Sequence, residues 1–296
     1  MSLPGRDEWF PLSFDLFVVE RECCMDWEVV LSSILHYLQP NSLYLASYLG
    51  LEKAVSKLIV EYGFDVNIPT TDGSAPLYLG VLASHTEIVK RLLKISGINV
   101  NKSNDDGFTP FLAAIYEHYP ETIKLLINAN DIDVNKLNNS GFTPLSLAIS
   151  MGYTEAVGLL LHSPNLDGKI EVANSKFQSG LLMAISKGCT EVVELLLKAP
   201  SLDISIGFDG SLPLINSIAS GHTHIVELLL KTWDIDANER HANGRTALEW
   251  AMSLDHEASE VLISCSDSIR DNKHSEKNAG DVHISDFTTH NGDSKN

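Results

Sequence analysis

The chain has 296 residues and a hydrophobic fraction of 44%, enough for a sizeable core in one large domain or two modest ones. Its 21 basic and 39 acidic side chains leave a formal charge of −18, so it gains nothing from phosphate neutralisation, and direct nucleic-acid binding or adhesion to anionic membranes is not expected. The start lacks a basic n-region followed by an apolar run, and no uninterrupted apolar stretch reaches the roughly 18 residues a membrane span requires.

In chain order, residues 1–40 come first. WFPLSFDLFVVE is rich in aromatic and branched residues, and DWEVVLSSILHYL has apolar spacing suited to a helix capped by Asp26. Two readings stand for this stretch: an N-terminal capping segment over the open face of the first repeat, or the remnant of a larger upstream domain. The adjacent Cys23 and Cys24 do not suit a mutual disulfide, and with Cys189 and Cys265 they form no C-x-x-C. The expected setting is therefore reducing and intracellular, cytoplasmic and/or nuclear.

From residue 41 the chain repeats. With Thr109 as marker, the equivalent positions are Asn41, Ala75, Thr109, Thr143, Ser179, Leu212 and Thr246, spaced by 34, 34, 34, 36, 33 and 34 residues. Each copy begins with a polar glycine turn, such as Asp72-Gly73, Asp106-Gly107, Ser140-Gly141, Asp209-Gly210 or Asn243-Gly244. Thr109-Pro110 and Thr143-Pro144 then set a capping hydroxyl before a proline suited to the first helical position. A short apolar helix follows (FLAAI, LSLAI), then a break (MGYT, KGCT, SGHT), then a second helix. That helix has apolar residues 13, 14, 17 and 18 past the marker: Ile88, Val89, Leu92 and Leu93, or Val192, Val193, Leu196 and Leu197. A tail such as Asp65-Val66-Asn67, Asp133-Val134-Asn135 or Asp236-Ala237-Asn238 leads to the next turn.

This pattern resembles the ankyrin repeat, a turn and two helices in about 33 residues with a T-P-L-H-x-A signature. The resemblance implies an all-α solenoid of helix-turn-helix units with short β-turn fingers: seven repeats over 41–264, with 265–296 as a disordered polar tail. The signature's histidine is replaced by Tyr78, Leu112, Ser146, Leu182, Ile215 and Glu249, and the fifth copy has Ser179-Gly180 in place of Thr-Pro. The two extra residues fall in NLDGKIEVANSKF, before that fifth copy. In the last copy the outer-helix core sites fall on Ser259, Glu260, Ile263 and Ser264, as in a closing cap. The opening NSLYLASYLGLEKAV is similar to the first repeat of fungal proteins that place ankyrin arrays after a NACHT-type nucleotidase, but no G-x-x-x-x-G-K-[ST] is present.

Residues that suggest chemistry have duller readings here. Glu117-His118 lies in the break between helices, His118 at the position held elsewhere by Gly152, Gly188 and Gly221; Asp105 and Asp106 sit at a finger tip, where aspartate bonds its own backbone. His222 and His224 form H-x-H without a four-ligand set, and Cys189 lies in a turn with no histidine partner by motif. No catalytic, cofactor or metal site is expected; a metal-dependent enzyme is the minor alternative. The resemblance implies instead a non-catalytic scaffold or adaptor that binds a protein or peptide on its concave face. Alternatives are a transcriptional co-regulator acting through a bound factor, or a recognition fragment of a larger NACHT-type signalling protein. The implied contact positions in the first four repeats are Tyr48, Leu82, Phe108, Tyr116, Phe142 and Met151, edged by Asp72, Asp105, Asp106 and Glu117, which suits a basic partner; a monomer is expected.

Overall fold

The computed structural model describes residues 42–166, 180–199, 212–232, 244–254 and 259–263. The expected helix at Asp26, the capping segment, the fifth finger and the polar tail lie outside these. Among the described residues there is no strand, and the helices come in pairs. They are α1 (Ser42–Leu49) and α2 (Glu52–Val60), α3 (Pro76–Leu82) and α4 (Thr86–Leu92), α5 (Pro110–Tyr116) and α6 (Pro120–Ile127), α7 (Pro144–Met151) and α8 (Thr154–Leu161). After residue 166 come α9 (Gly180–Ser186) and α10 (Thr190–Lys198), α11 (Leu212–Ala219) and α12 (Thr223–Thr232), then α13 (Ala247–Ser253) and α14 (259–263). Each odd-numbered inner helix packs on the next inner helix, and the outer helices α2 to α12 stack likewise, giving the all-α solenoid that the spacing predicts.

The start of an inner helix is set locally. Thr109 stands in extended backbone at the N-cap of α5 and its hydroxyl accepts from Leu112 N at 3.1 Å, while Pro110 takes the first helical position. Thr143 caps α7 and Thr246 caps α13 in the same way, and there Ser146 and Glu249 bond back to the cap's own N–H. These two replacements of the signature histidine thus complete capping boxes. The end of an inner helix is a Schellman turn. Tyr153 N donates to Ala148 O at 2.9 Å and Gly152 N to Ile149 O at 3.0 Å, with matching pairs after α3, α5, α9 and α11. The residue at the bend has positive φ: Gly50, Gly152, Gly188 and Gly221, but also Ser84 at 60° and His118 at 58°. His118 therefore takes a glycine's conformation, as its place in the repeat predicts.

The core is a column. Inner helices are buried almost all round (α5 hides Pro110 to Ile115), and outer helices bury positions 13, 14 and 17, such as Ile88, Val89 and Leu92. Position 18 is only half-buried in Leu93, Ile127, Leu161 and Leu197, because the outer stripe faces one layer of inner helices and then meets the surface. In α14 the expected frame is off by one. Leu262 is 1% exposed, whereas Ile263 is 44% exposed, so Leu262 with half-buried Ser259, three residues earlier, forms the inward face.

Successive tails are joined by asparagines. Asn101 donates from Nδ2 to Asp131 O at 2.6 Å and accepts at Oδ1 from Asp133 N at 2.9 Å. Asn67 makes the same two bonds to Gly97 O and Asn99 N, and Asn135 donates to Asn165 O at 2.8 Å. Leu126→Ala, which empties a fully buried site, is expected to lower stability by about 2–5 kcal/mol. Thr109→Ala is expected to lower it by about 0.5–2 kcal/mol through the lost cap. Urea denaturation followed by circular dichroism checks both.

Candidate protein-binding face

The face predicted from the repeat is built from fingers and inner helices. Each finger is a turn closed at its base by backbone bonds, Asn104 N to Phe108 O and Asn138 N to Phe142 O, both 3.0 Å. The first finger residue adds its side chain: Asn104 Oδ1 accepts from Phe108 N at 2.8 Å, and Asn138 Oδ1 from Phe142 N at 2.9 Å. The expected role of Asp105 and Asp106 is thus corrected. The turn-closing side chain is Asn104, since only the base residue reaches across to the returning limb of the turn. Asp105 and Asp106 instead link fingers through their backbones, Asp105 N donating to Asp72 O at 2.9 Å and Asp106 O accepting from Asn139 N at 3.0 Å.

Their carboxylates are exposed, and Glu117 is half-buried. Asp72 accepts from the hydroxyls of Thr70 and Ser74 within its own finger. Among the described residues none of the four acids forms an ion pair. The ion pairs among the described residues lie on the outer helices: Arg91 bridges to Glu52 at 3.0 Å, Lys124 to Glu155 at 3.0 Å, and Lys90, Lys198 and Lys231 pair along their own outer helices. The inner helices α1, α3, α5, α7, α9 and α11 carry no charged residue. Tyr78, 3% exposed on α3, registers the acids: burial first, then the charges of Asp72, Asp106 and Glu117, push its hydroxyl well above the usual tyrosine range. Tyr44 on α1 is raised by burial and then by Asp72. These two tyrosines escape a search by contact position; the charges that act on Tyr78 come from two fingers and from the residue after α5.

The apolar positions are half-buried. Phe108 meets Tyr116 edge-on, ring centroids 6.0 Å apart at 88°, which folds the end of a finger onto the end of its inner helix. Leu82, Phe142 and Met151 pack against the core from the same side, and Tyr48 O accepts a 3.0 Å contact from His85 Nε2 in the next unit. Two further histidines make contacts in the stack. His118 stacks on Tyr153, 4.5 Å between rings, and its Nδ1 lies 3.2 Å from Tyr116 O. His222 Nε2 approaches Ser186 O at 3.5 Å, and Cys189 lies over Gly152, where an added Cβ would come within 2.9 Å of its Sγ. Among the described residues no three metal-ligating side chains come together, and no helix is long and apolar enough to cross a membrane.

A family model of ankyrin repeats (three copies) matches residues 85–173 and 178–273, more than half of the chain. The helix pair before His85, α1 and α2, has the same bend, with Gly50 at positive φ and Leu51 N donating to Ala46 O at 3.0 Å. Among solved structures, the ankyrin repeat domain of Bcl-3, described as a unique member of the IkappaB protein family, is similar at 22% identity and a TM-score of 0.63. That match covers 74% of this chain and 96% of that one. The ankyrin repeat protein EF0377 is similar at 24% identity and a TM-score of 0.55, covering 64% of this chain and 96% of its own. The human ASB11 ankyrin repeat domain is similar at 21% and 0.55, covering 75% and 96%. At these identities the likeness is one of fold. No curated protein sequence matches the chain.

The fingers have no room to spare. A Cβ on Gly107, whose φ is +77°, would lie 2.6 Å from Asn139 N and 3.0 Å from the Asn138 carbonyl carbon. Gly107→Ala is expected to cost about 1–3 kcal/mol from the left-handed backbone and the clash together. Thermal melts beside Gly97→Ala, which has positive φ but open space, separate the two causes.

Proposed function

This chain belongs to the ankyrin-repeat family, and from that premise we propose that it is a non-catalytic scaffold or adaptor for a protein or peptide partner. An ankyrin-repeat domain is typically a protein–protein interaction module and its fold is generally non-catalytic. The partner docks on the fingers and inner helices of the first four repeats. One observation carries this reading. Half-buried Leu82, Phe108, Tyr116, Phe142 and Met151 accompany Asp72, Asp105, Asp106 and Glu117, none of which forms an ion pair among the described residues, while Arg91 and Lys124 bridge to glutamates on outer helices. Aromatic anchors inside a polar rim concentrate interface energy.

Repeats five and six offer less. The equivalent positions are Ser186 and Lys187, then Ala219 and Ser220, without an aromatic anchor; in the sequence Phe208 is the main exception. The partner presents a basic element, and its encounter rate falls as salt rises. Nucleic acid is disfavoured by the same field. The protein acts as a monomer in the cytoplasm, the nucleus or both.

Affinity purification from cell extract with mass spectrometry tests this. A partner held by the wild-type chain and by Ser186→Ala is expected to be lost, by about tenfold or more, from a folded Tyr116→Ala/Asp106→Lys chain. Full retention by that double variant would sink the reading.

A further inference from the structure

The strip has a direction. Each inner helix packs on the next, so the ends of α3, α5 and α7 adjoin. Leu82 and Tyr116 lie seven residues past their markers and Met151 eight past its own, giving an apolar row staggered by one residue at α7. The 6.0 Å contact of Phe108 with Tyr116 sets the finger alongside that row. Asp72 and Asp106 therefore edge it from the finger side, and Glu117 follows Tyr116 directly. Resting on the reading of this side as the docking surface, we propose that its occupant is a single amphipathic cationic segment of the partner. It lies across α3, α5 and α7, apolar side chains on Leu82, Tyr116 and Met151, lysine or arginine toward Asp72, Asp106 and Glu117.

Charge complementarity selects this occupant. The four acids have no cation of their own among the described residues, although the same stretch of chain holds Lys90, Arg91 and Lys124, all bridged to glutamates. A neutral apolar segment would desolvate these carboxylates with nothing in return, and an acidic one would be repelled. Cations alone hold little, since exposed ion pairs are screened by solvent and weak. The apolar row has to supply the rest. Tyr78 fits this arrangement: its hydroxyl is raised first by burial and then by the charges of Asp72, Asp106 and Glu117. The length fits a segment too. From α3 to α7 the row crosses two interhelical spacings of about 8–10 Å, a span of about 16–20 Å, within the reach of one helix or strand. Beyond α7 the row ends at Ser186 on α9.

The full chain is used to select from a phage-displayed library of random linear peptides. Synthetic versions of the enriched peptides are then titrated against three forms: wild type, Asp106→Asn/Glu117→Gln, and Tyr116→Gln/Met151→Gln. All substitutions are at positions that are not fully buried, and circular dichroism melts show whether each form is folded. The expected peptides interleave lysine or arginine with aliphatic or aromatic residues. Charge removal is expected to weaken them by about three- to tenfold, as does added salt, and the apolar pair weakens them further. Peptides that are lost with Tyr116→Gln/Met151→Gln but carry no excess of cations, and ignore Asp106→Asn/Glu117→Gln, overturn the proposal and leave the docking surface standing. Peptides indifferent to both variants, or no enrichment at all, overturn the docking surface as well.

Discussion

No helix pair in this chain can bury both of its apolar faces alone, and that constraint governs the rest. Burial comes only from neighbours, so every junction must be held in register. Polar contacts do this at each level of the stack. At the fingers, Asp105 N and Asn139 N reach the preceding finger. At the inter-helix bend, the first residue after the turn covers the bend of the unit before it, as His85 does over Gly50 and Cys189 over Gly152. At the tails, Asn67 and Asn101 each bridge donor to carbonyl and carbonyl oxygen to N–H. Hydrophobic burial is non-directional; these bonds supply the direction.

The same constraint explains what the sequence reveals. A stacked unit must keep one length, so a spacing near 34 residues is visible even where the motif has drifted. Proline after a threonine cap and glycine at the bend are visible because each answers a local backbone demand. The bridging asparagines are harder to see. Asp-Val-Asn recurs plainly, but its partner is a backbone carbonyl some 30 residues on, and a carbonyl leaves no side-chain signature. For the same reason the finger's closing residue is easily assigned to the aspartates at the tip rather than to Asn104 at the base. In α14 the repeat frame alone selects Ile263, while the short helix turns Leu262 inward instead. The repeat frame yields the candidate face only as a set of positions. Its electrostatics were legible only in part, because Tyr44 and Tyr78 stand in the signature's histidine position and read as drift.

His118 illustrates how the bend tolerates a departure. A left-handed conformation is unfavourable for a residue with a Cβ, by about 1–2 kcal/mol, and the glycines at this position avoid it. A side chain there would also strike the covering residue of the next unit, as Gly50 and Gly188 show for His85 and His222. In the third unit both problems have one answer. The covering residue is Tyr153, and the His118 ring stacks flat on it at 4.5 Å, which replaces a clash by a contact. The glutamate and histidine side by side are thus part of the joint.

The burial of the inner helices also dictates where binding specificity is written. A helix packed between two neighbours and an outer partner cannot accept a charge at most of its positions without a large desolvation penalty. The field over the face must then come from residues outside those helices: the finger aspartates, and Glu117 just beyond α5. These positions make few core contacts, so their charges can change with little effect on the stack, whereas Leu82, Tyr116 and Met151 are half-committed to it. On the proposed docking surface, affinity and folding share the apolar row, while the sign of the partner is set separately, at the fingers. An array built this way can alter which partners it admits without altering how it stands.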